Sequence, residues 1–257
     1  MTDVVARLRA AGCVFAEEEA ALLRATGRDV EPLVRRRVAG EPLEQILGWA
    51  EFFGLRILLD PGVFVPRRRT ELLVRTALSL SVAEPVVLDM FCGTGAVGAA
   101  LAAKLDGVEV HAVDIDPVAV ACARRNLVAF DGHVYEGDLD APLPESLRGR
   151  VNLLVANAPY VPTGEIAFMP TEAREHEAAV ALDGGSDGLD LHRRIATVAP
   201  SWLAPGGHLL IETSRRQATD TAAACATAGL TPTVVTDDDL DATVVVAGAV
   251  SPSATVG

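Results

Sequence analysis

Asn157, Ala158, Pro159 and Tyr160 follow directly on a short apolar run, Val151 to Ala156. The Asn157 side-chain oxygen and the Ala158 main-chain carbonyl are two hydrogen-bond acceptors at one strand end. Two such acceptors can hold and polarise a hydrogen-bond donor. Tyr160 adds an aromatic face on which a planar group can lie. Read blandly, the same four residues are a proline turn closing a strand.

A second constellation lies upstream. Val86 to Gly98 reads VVLDMFCGTGAVG: an apolar strand, Asp89, a turn with Gly93 and Gly95, then a helix. Small residues in such a turn let the backbone approach a ligand at the carboxyl edge of a sheet. A glycine turn alone is weak evidence, since many α/β turns carry glycine for conformational reasons. Its neighbours sharpen it: Asp114 ends the next strand, where an acid can accept from both ribose hydroxyls, and Asp138 follows a third strand, Val134 to Glu136, and Gly137. Three carboxylates at three strand ends form a cup for a ligand carrying a sulfonium or amine, a ribose and an adenine, and they repel a pyrophosphate. Each acid taken alone could merely cap a helix or turn.

The elements that must hold these groups follow from the spacing of apolar residues. Val86 to Met90, Val108 to Val113, Val151 to Ala156 and His208 to Glu212 are short apolar runs of the kind buried on both sheet faces, with helices at Ala96 to Leu105 and Pro117 to Ala129 between them. This predicts a doubly wound α/β sheet. Pro232 to Val235 and Thr243 to Ala247 flank an acidic turn and predict a terminal hairpin attached to it. Before the sheet, helical spacing over Thr2 to Ala39, punctuated by Gly12, Gly27 and Gly40, predicts two or three short helices. Trp49 to Phe53 and Leu55 to Leu59, broken at Gly54, predict a hairpin linker, and Thr70 to Leu80 a helix.

Half of the 257 residues are hydrophobic, enough for one large core with a small appended unit. No run of about 18 apolar residues occurs, and the N-terminus opens with Asp3, Arg7 and Arg9 instead of a signal core, so a cytoplasmic chain is expected. The four cysteines are scattered, which predicts reduced thiols and no metal site. The net charge of −13 counts against nucleic acid as a partner, since binders need a positive field. Two basic runs, Arg35 to Arg37 and Arg67 to Arg69, are either a small positive patch or solvated helix faces. The five histidines read as structural or surface residues, and no dedicated general base is evident.

NAPY resembles the (Asn/Asp/Ser)-Pro-Pro-(Tyr/Phe) motif of methyltransferases that modify nitrogen conjugated to a π-system. Three further segments are more specific: Gly40 to Val74 (GEPLEQILGWAEFFGLRILLDPGVFVPRRRTELLV), Glu172 to Ile195 (EAREHEAAVALDGGSDGLDLHRRI) and Gly206 to Gln217 (GGHLLIETSRRQ). They resemble the bacterial release-factor glutamine methyltransferase family, often called HemK or PrmC, and the resemblance covers roughly Gly40 to Gly248.

The resemblance implies a Rossmann-like, seven-stranded class I methyltransferase sheet with a terminal antiparallel hairpin. It implies a helical substrate-docking unit over 1–40, a β-hairpin linker over 41–66 and a methyltransferase domain over 67–250; the residues of 251–257 read by themselves as a disordered tail. The cofactor it implies is S-adenosylmethionine, and the substrate is the glutamine of the GGQ motif in a peptide-chain release factor. Carried over by position, Asp89, Gly93 and Gly95 lie near the methionine part, Asp114 on the ribose and Asp138 near the adenine. Phe91, Cys92, Thr94, Ile115, Leu139 and Asn157 complete the cofactor contacts. Asn157 and Tyr160 meet the substrate amide within the motif that Ala158 and Pro159 complete, and Pro66, Arg67, Thr70 and Glu71 border the same pocket.

The sequence departs from the family's pattern in three places. Ala158 replaces the motif's first proline, keeping the carbonyl but losing the fixed backbone angle and adding an N–H. PRRRTE replaces the commoner PRPxTE, and the helical unit before Gly40 is shorter than the family's usual one. A tailoring methyltransferase on a small amide or peptide metabolite, an adenine N6-methyltransferase and a binding protein without turnover are the competing expectations.

Overall fold

The computed structural model describes residues 3–169, 177, 178 and 181–249. The expected tail over 251–257 and part of the Glu172 to Ile195 segment lie outside the described residues.

The N-terminal helices α1 (Val4–Ala10), α2 (Ala16–Ala25) and α3 (Val30–Val38) are followed by the short α4 (Leu43–Leu47). Asp3 and Asp29 cap α1 and α3, each accepting a main-chain N–H two residues on. Leu8, Ala20, Leu23, Val34 and Ile46 bury a small core of their own. Gly48, left-handed at φ +81°, ends α4 and starts the antiparallel hairpin β1 (Trp49–Phe52) and β2 (Leu55–Leu58). Ala50, Leu59, Val63 and Val65 seat this hairpin against Ala119 and Cys122.

The sheet has seven strands: β3 (Val86–Met90), β4 (Glu109–Asp114), β5 (His133–Glu136), β6 (Val151–Ala156), β7 (Leu203–Thr213), β8 (Thr231–Asp237) and β9 (Ala242–Gly248). Their order is β5-β4-β3-β6-β7-β9-β8. The first five strands of the chain's sheet are parallel, and β9 runs antiparallel to both β7 and β8. This is the doubly wound α/β sheet with a terminal hairpin that the apolar runs predict, in the seven-stranded arrangement that the resemblance implies. Helices α5 (Glu71–Ser79), α6 (Ala96–Ala102) and α7 (Pro117–Leu127) pack with Val87, Leu153 and Val155 on one face. Helices α8 (Asp190–Trp202) and α9 (Ala218–Thr227) cover the other, where Leu88, Met90, Leu154 and Trp202 are buried.

Two expectations change. The strand predicted over His208 to Glu212 begins at Leu203, because Val151 pairs with Leu203 and the register then shifts so that Leu153 pairs with His208; the Pro-Gly-Gly stretch is absorbed as a bulge. The basic runs are largely paired: Arg36 pairs with Glu41, Arg37 with Glu19, Arg67 with Glu177 and Arg69 with Glu212. Apart from the nearby Glu41, these partners come from distant segments, which charge counting along the chain cannot see.

The strand order reverses between β3 and β6, the place where open α/β sheets form a ligand crevice beyond their carboxyl ends. Asp89, Asp114, Asn157 and Glu212 all sit at that edge, on β3, β4, the exit of β6 and β7.

Candidate active site

A cavity of about 520 Å³ opens at this edge, within the range of small-molecule sites. Of the residues singled out in the sequence, all line it except Gly95 and Glu71. Glu71 turns its carboxylate to Arg75 at 2.9 Å, one helical turn along α5. Gly95 caps α6 at φ +74°, and a β-carbon there would stand 3.2 Å from Ala123 and Leu127. Its smallness serves the contact between α6 and α7.

Gly93 differs. It is left-handed at φ +53°, and nothing lies within 4 Å of where its β-carbon would be. Its backbone is bared to the cavity, and its N–H donates to Asp114 Oδ2 at 2.8 Å. Asp116 N–H donates to Asp114 Oδ1 at 3.0 Å, and Cys92 N–H donates to the Val113 carbonyl at 3.1 Å. These bonds lash the turn after β3 to the end of β4. Asn126 extends the tie, its Nδ2 donating to the carbonyls of Thr94 and Leu58 while its oxygen accepts from Leu58 N–H. One side chain thus couples the glycine turn to the hairpin.

The cup is acidic and poorly solvated. Asp89 is buried and accepts the Gly98 N–H at 2.9 Å; burial, with Asp114 nearby, pushes its carboxyl up to about 7. Burial also raises the Asp114 carboxyl above the usual range. Two dehydrated carboxylates side by side favour a cation between them. Asp138 stands further out, paired with Arg194 of α8 at 2.7 Å. Phe91, Ile115 and Leu139 give the same space apolar walls.

Across the cavity, Asn157 leaves β6 and donates from Nδ2 to the Thr70 hydroxyl at 3.2 Å. Ala158 is buried. The Tyr160 hydroxyl donates to Glu212 at 3.4 Å, and Arg69 places Nε 3.3 Å from the same carboxylate and its guanidinium 5.8 Å from the Tyr160 ring. Burial, then Glu212, raises the Tyr160 hydroxyl, keeping it a protonated donor.

The segment after the motif explains its own glycines. Val161 N–H donates to the Leu182 carbonyl and Gly184 N–H to the Val161 carbonyl, laying this segment alongside the Asn-Ala-Pro-Tyr loop. A β-carbon on Gly184 would stand 2.8 Å from the Pro159 carbonyl and Tyr160 Cα, and one on Gly188 would meet the Tyr160 carbonyl. Gln217 donates to that same carbonyl at 2.9 Å.

Glu177, Glu212, Arg69, Gln217 and Arg194 belong to this surround and were not singled out in the sequence. Glu177 accepts from Val65 N–H and pairs with Arg67, and burial raises its carboxyl. A signal existed for Glu212: it is a charged residue in the otherwise apolar strand HLLIET, and such residues are rarely buried without a role. Nothing comparable marks Gln217 or Arg194.

The dehydrated carboxylates, the bared Gly93 and the apolar walls fit a cationic nucleoside such as S-adenosylmethionine. Beside that cup, the Asn157 carboxamide and the Tyr160 ring fit a planar NH2 group.

The chain is similar to known methyltransferases. The methyltransferase small domain matches residues 54–186. A release factor glutamine methyltransferase of Geobacter sulfurreducens is 43% identical over 72% of this chain and 65% of its own length. Its namesake in Bradyrhizobium diazoefficiens is 35% identical over 84% of this chain and 81% of its own. The chain belongs to the release factor glutamine methyltransferase family.

Its match spans slightly under two thirds of the first relative's length. A family relative from Streptomyces pristinaespiralis, 38% identical over 70% of this chain and 63% of its own, is a 4-amino-L-phenylalanine/4-methylamino-L-phenylalanine methyltransferase. The fold recurs in a methyltransferase of Pyrococcus furiosus, with a TM-score of 0.57 at 16% identity over 88% of this chain and all of that one.

Proposed function

We propose that this protein transfers a methyl group from S-adenosylmethionine to the side-chain amide nitrogen of a glutamine, the one in the GGQ motif of a peptide-chain release factor. The observation that carries this reading is the placing of Asn157, Ala158 and Tyr160 against the acid-lined cup, with the Asn157 amide already tethered by Thr70. The family supports the substrate.

Asp89, Asp114, Asp138 and the bared Gly93 would hold the cofactor. S-adenosylmethionine, when bound, supplies an electrophilic methyl on a sulfonium. Asn157 Oδ1 and the Ala158 carbonyl accept the two amide protons and hold the nitrogen in line, and Tyr160 confines the plane of the amide. Alkylation makes that nitrogen acidic, so its proton passes to water and no dedicated base is needed. We assign residues 1–40 to docking the protein substrate, 41–66 to the linking hairpin and 67–250 to transfer, in the cytoplasm. Among the described residues, no helix is long and apolar enough to cross a membrane.

The test is incubation with a release factor and S-adenosylmethionine, followed by peptide mass spectrometry. One glutamine-containing peptide gains the mass of a methyl substitution. A release factor left unmodified, while 4-aminophenylalanine or a small amide in a parallel reaction is methylated, would transfer the chemistry to a small-molecule substrate, the class to which one relative belongs.

A further inference from the structure

Glu212 lies on β7 and is 1% exposed, yet it is no part of the acid cup that suits a cation. It stands two strands away from Asp89, across β6, and the groups that face it, Arg69, Tyr160 and Thr70, are donors. Arg69 and the Tyr160 hydroxyl approach Oε1, and Oε2 is buried with no hydrogen-bond partner. Burial raises the carboxyl above the usual range, while the Thr70 hydroxyl, Arg69 and Tyr160 favour its charged form.

Thr70 is the pivot. Its hydroxyl has one proton and two lone pairs. Ringed by donors, the Glu212 carboxylate accepts, and a Thr70 proton turned toward it leaves the hydroxyl's lone pairs for Asn157. An acceptor there draws the Asn157 NH2, as the 3.2 Å bond from Nδ2 shows. With its NH2 engaged, the carboxamide has one end left for the cavity, its oxygen. The two ends of a carboxamide have nearly the same shape, and only the surrounding network tells them apart.

We propose that Glu212 is a positioning residue: as an acceptor it sets the direction of a Glu212–Thr70–Asn157 relay, which presents the Asn157 oxygen, not its NH2, to the substrate nitrogen. This rests on the proposed amide methylation, for which an oxygen at that point attracts the substrate's N–H and an NH2 repels it. Glu212 also holds the Tyr160 hydroxyl, so the same carboxylate orients both residues that meet the amide.

The relay has a signature separate from turnover. In wild-type protein with labelled Asn, the Asn157 side-chain NH2 is engaged with Thr70, so one of its protons exchanges slowly with water. Glu212→Gln, near-isosteric but able to donate, and Thr70→Val, lacking the hydroxyl, are each expected to erase that protection. Each lowers kcat by roughly tenfold or more while the affinity for S-adenosylmethionine, measured by calorimetry, stays within about twofold. Thr70→Ser, which keeps the hydroxyl, restores both readouts.

Folded Glu212→Gln and Thr70→Val proteins with wild-type protection and kcat would overturn the proposal. So would a fall in kcat with the Asn157 signals unchanged. Should the wild-type protein methylate no amide substrate at all, the proposed function falls, while the exchange measurement on the same three variants still decides whether the relay exists.

Discussion

Replacing Gly184 with alanine isolates the contact that seats the reaction loop. Gly184 has no left-handed backbone to strain, and its added methyl would meet three main-chain atoms at 2.8 Å: the carbonyls of Pro159 and Gly188, and Tyr160 Cα. Ordinary β-carbon contacts start near 3.4 Å, so the loop and its neighbour must part by roughly 0.6 Å. Main-chain atoms cannot swing aside as a flexible side chain does. If the packing resists, overpacking costs about 1–3 kcal/mol of stability. If it yields, Tyr160 moves; since a displacement of about 1 Å costs on the order of a hundredfold in rate, roughly 0.6 Å costs around tenfold. Gly164→Ala is the matched control, with ordinary backbone and nothing within 4 Å of the new methyl. Urea denaturation and single-turnover methyl transfer, run on both variants, separate the two outcomes. Gly184→Ala behaving like Gly164→Ala in both assays would refute the claim that the post-motif segment positions Tyr160.

Asn157→Ala is expected to slow transfer on the order of a hundredfold with cofactor affinity unchanged, as befits a group that acts on the substrate nitrogen; single-turnover rates beside calorimetry check it. Asp114→Ala should weaken cofactor binding by roughly ten- to a hundredfold and lower thermal stability as well, because Gly93 and Asp116 lose the acceptor for their N–H groups. Asp89 titrates near 7 in the folded chain against about 3.9 unfolded, so its contribution to stability is whole below about pH 4 and is lost as pH rises through about 7. The cofactor-free protein should therefore lose stability between about pH 4 and 7, and Asp89→Asn should flatten that slope; equal slopes by denaturant titration would count against a protonated Asp89.

How far the chain could be read before folding depends on where each signal lies. The central strands β3 and β6 are legible to the residue, since apolar runs are bounded sharply by Pro85 on one side and Asn157 on the other. Asp89, Asp114 and Asn157 are legible because each ends such a run, and parallel packing carries strand ends to one edge. β7 is longer than its pattern suggests, because the Ala-Pro-Gly-Gly stretch looks like a turn and is absorbed as a bulge only through pairing with β6. Gly95 misleads for a related reason: a glycine beside a ligand and a glycine beside a helix look the same in one dimension, and only Ala123 and Leu127 tell them apart. The arginines of PRRRTE are likewise undecidable along the chain, because Glu177 and Glu212 meet them from more than a hundred residues away.

The position of Glu212 follows from the site and not from the fold. A carboxylate buried in a sheet costs several kcal/mol of desolvation, and its attraction to a half-exposed Arg69 at 3.3 Å recovers only part of that. An apolar residue would satisfy β7 as well, as Leu209, Leu210 and Ile211 do just before it. What an apolar residue does not supply is an acceptor at the meeting point of Thr70 and Tyr160, which come from the start of α5 and the exit of β6. The strand order β3-β6-β7 makes that meeting possible, by setting the end of β7 next to the loop that carries Asn157. A residue that weakens the sheet while directing the hydrogen bonds of both substrate-facing side chains is accounted for by the reaction it serves.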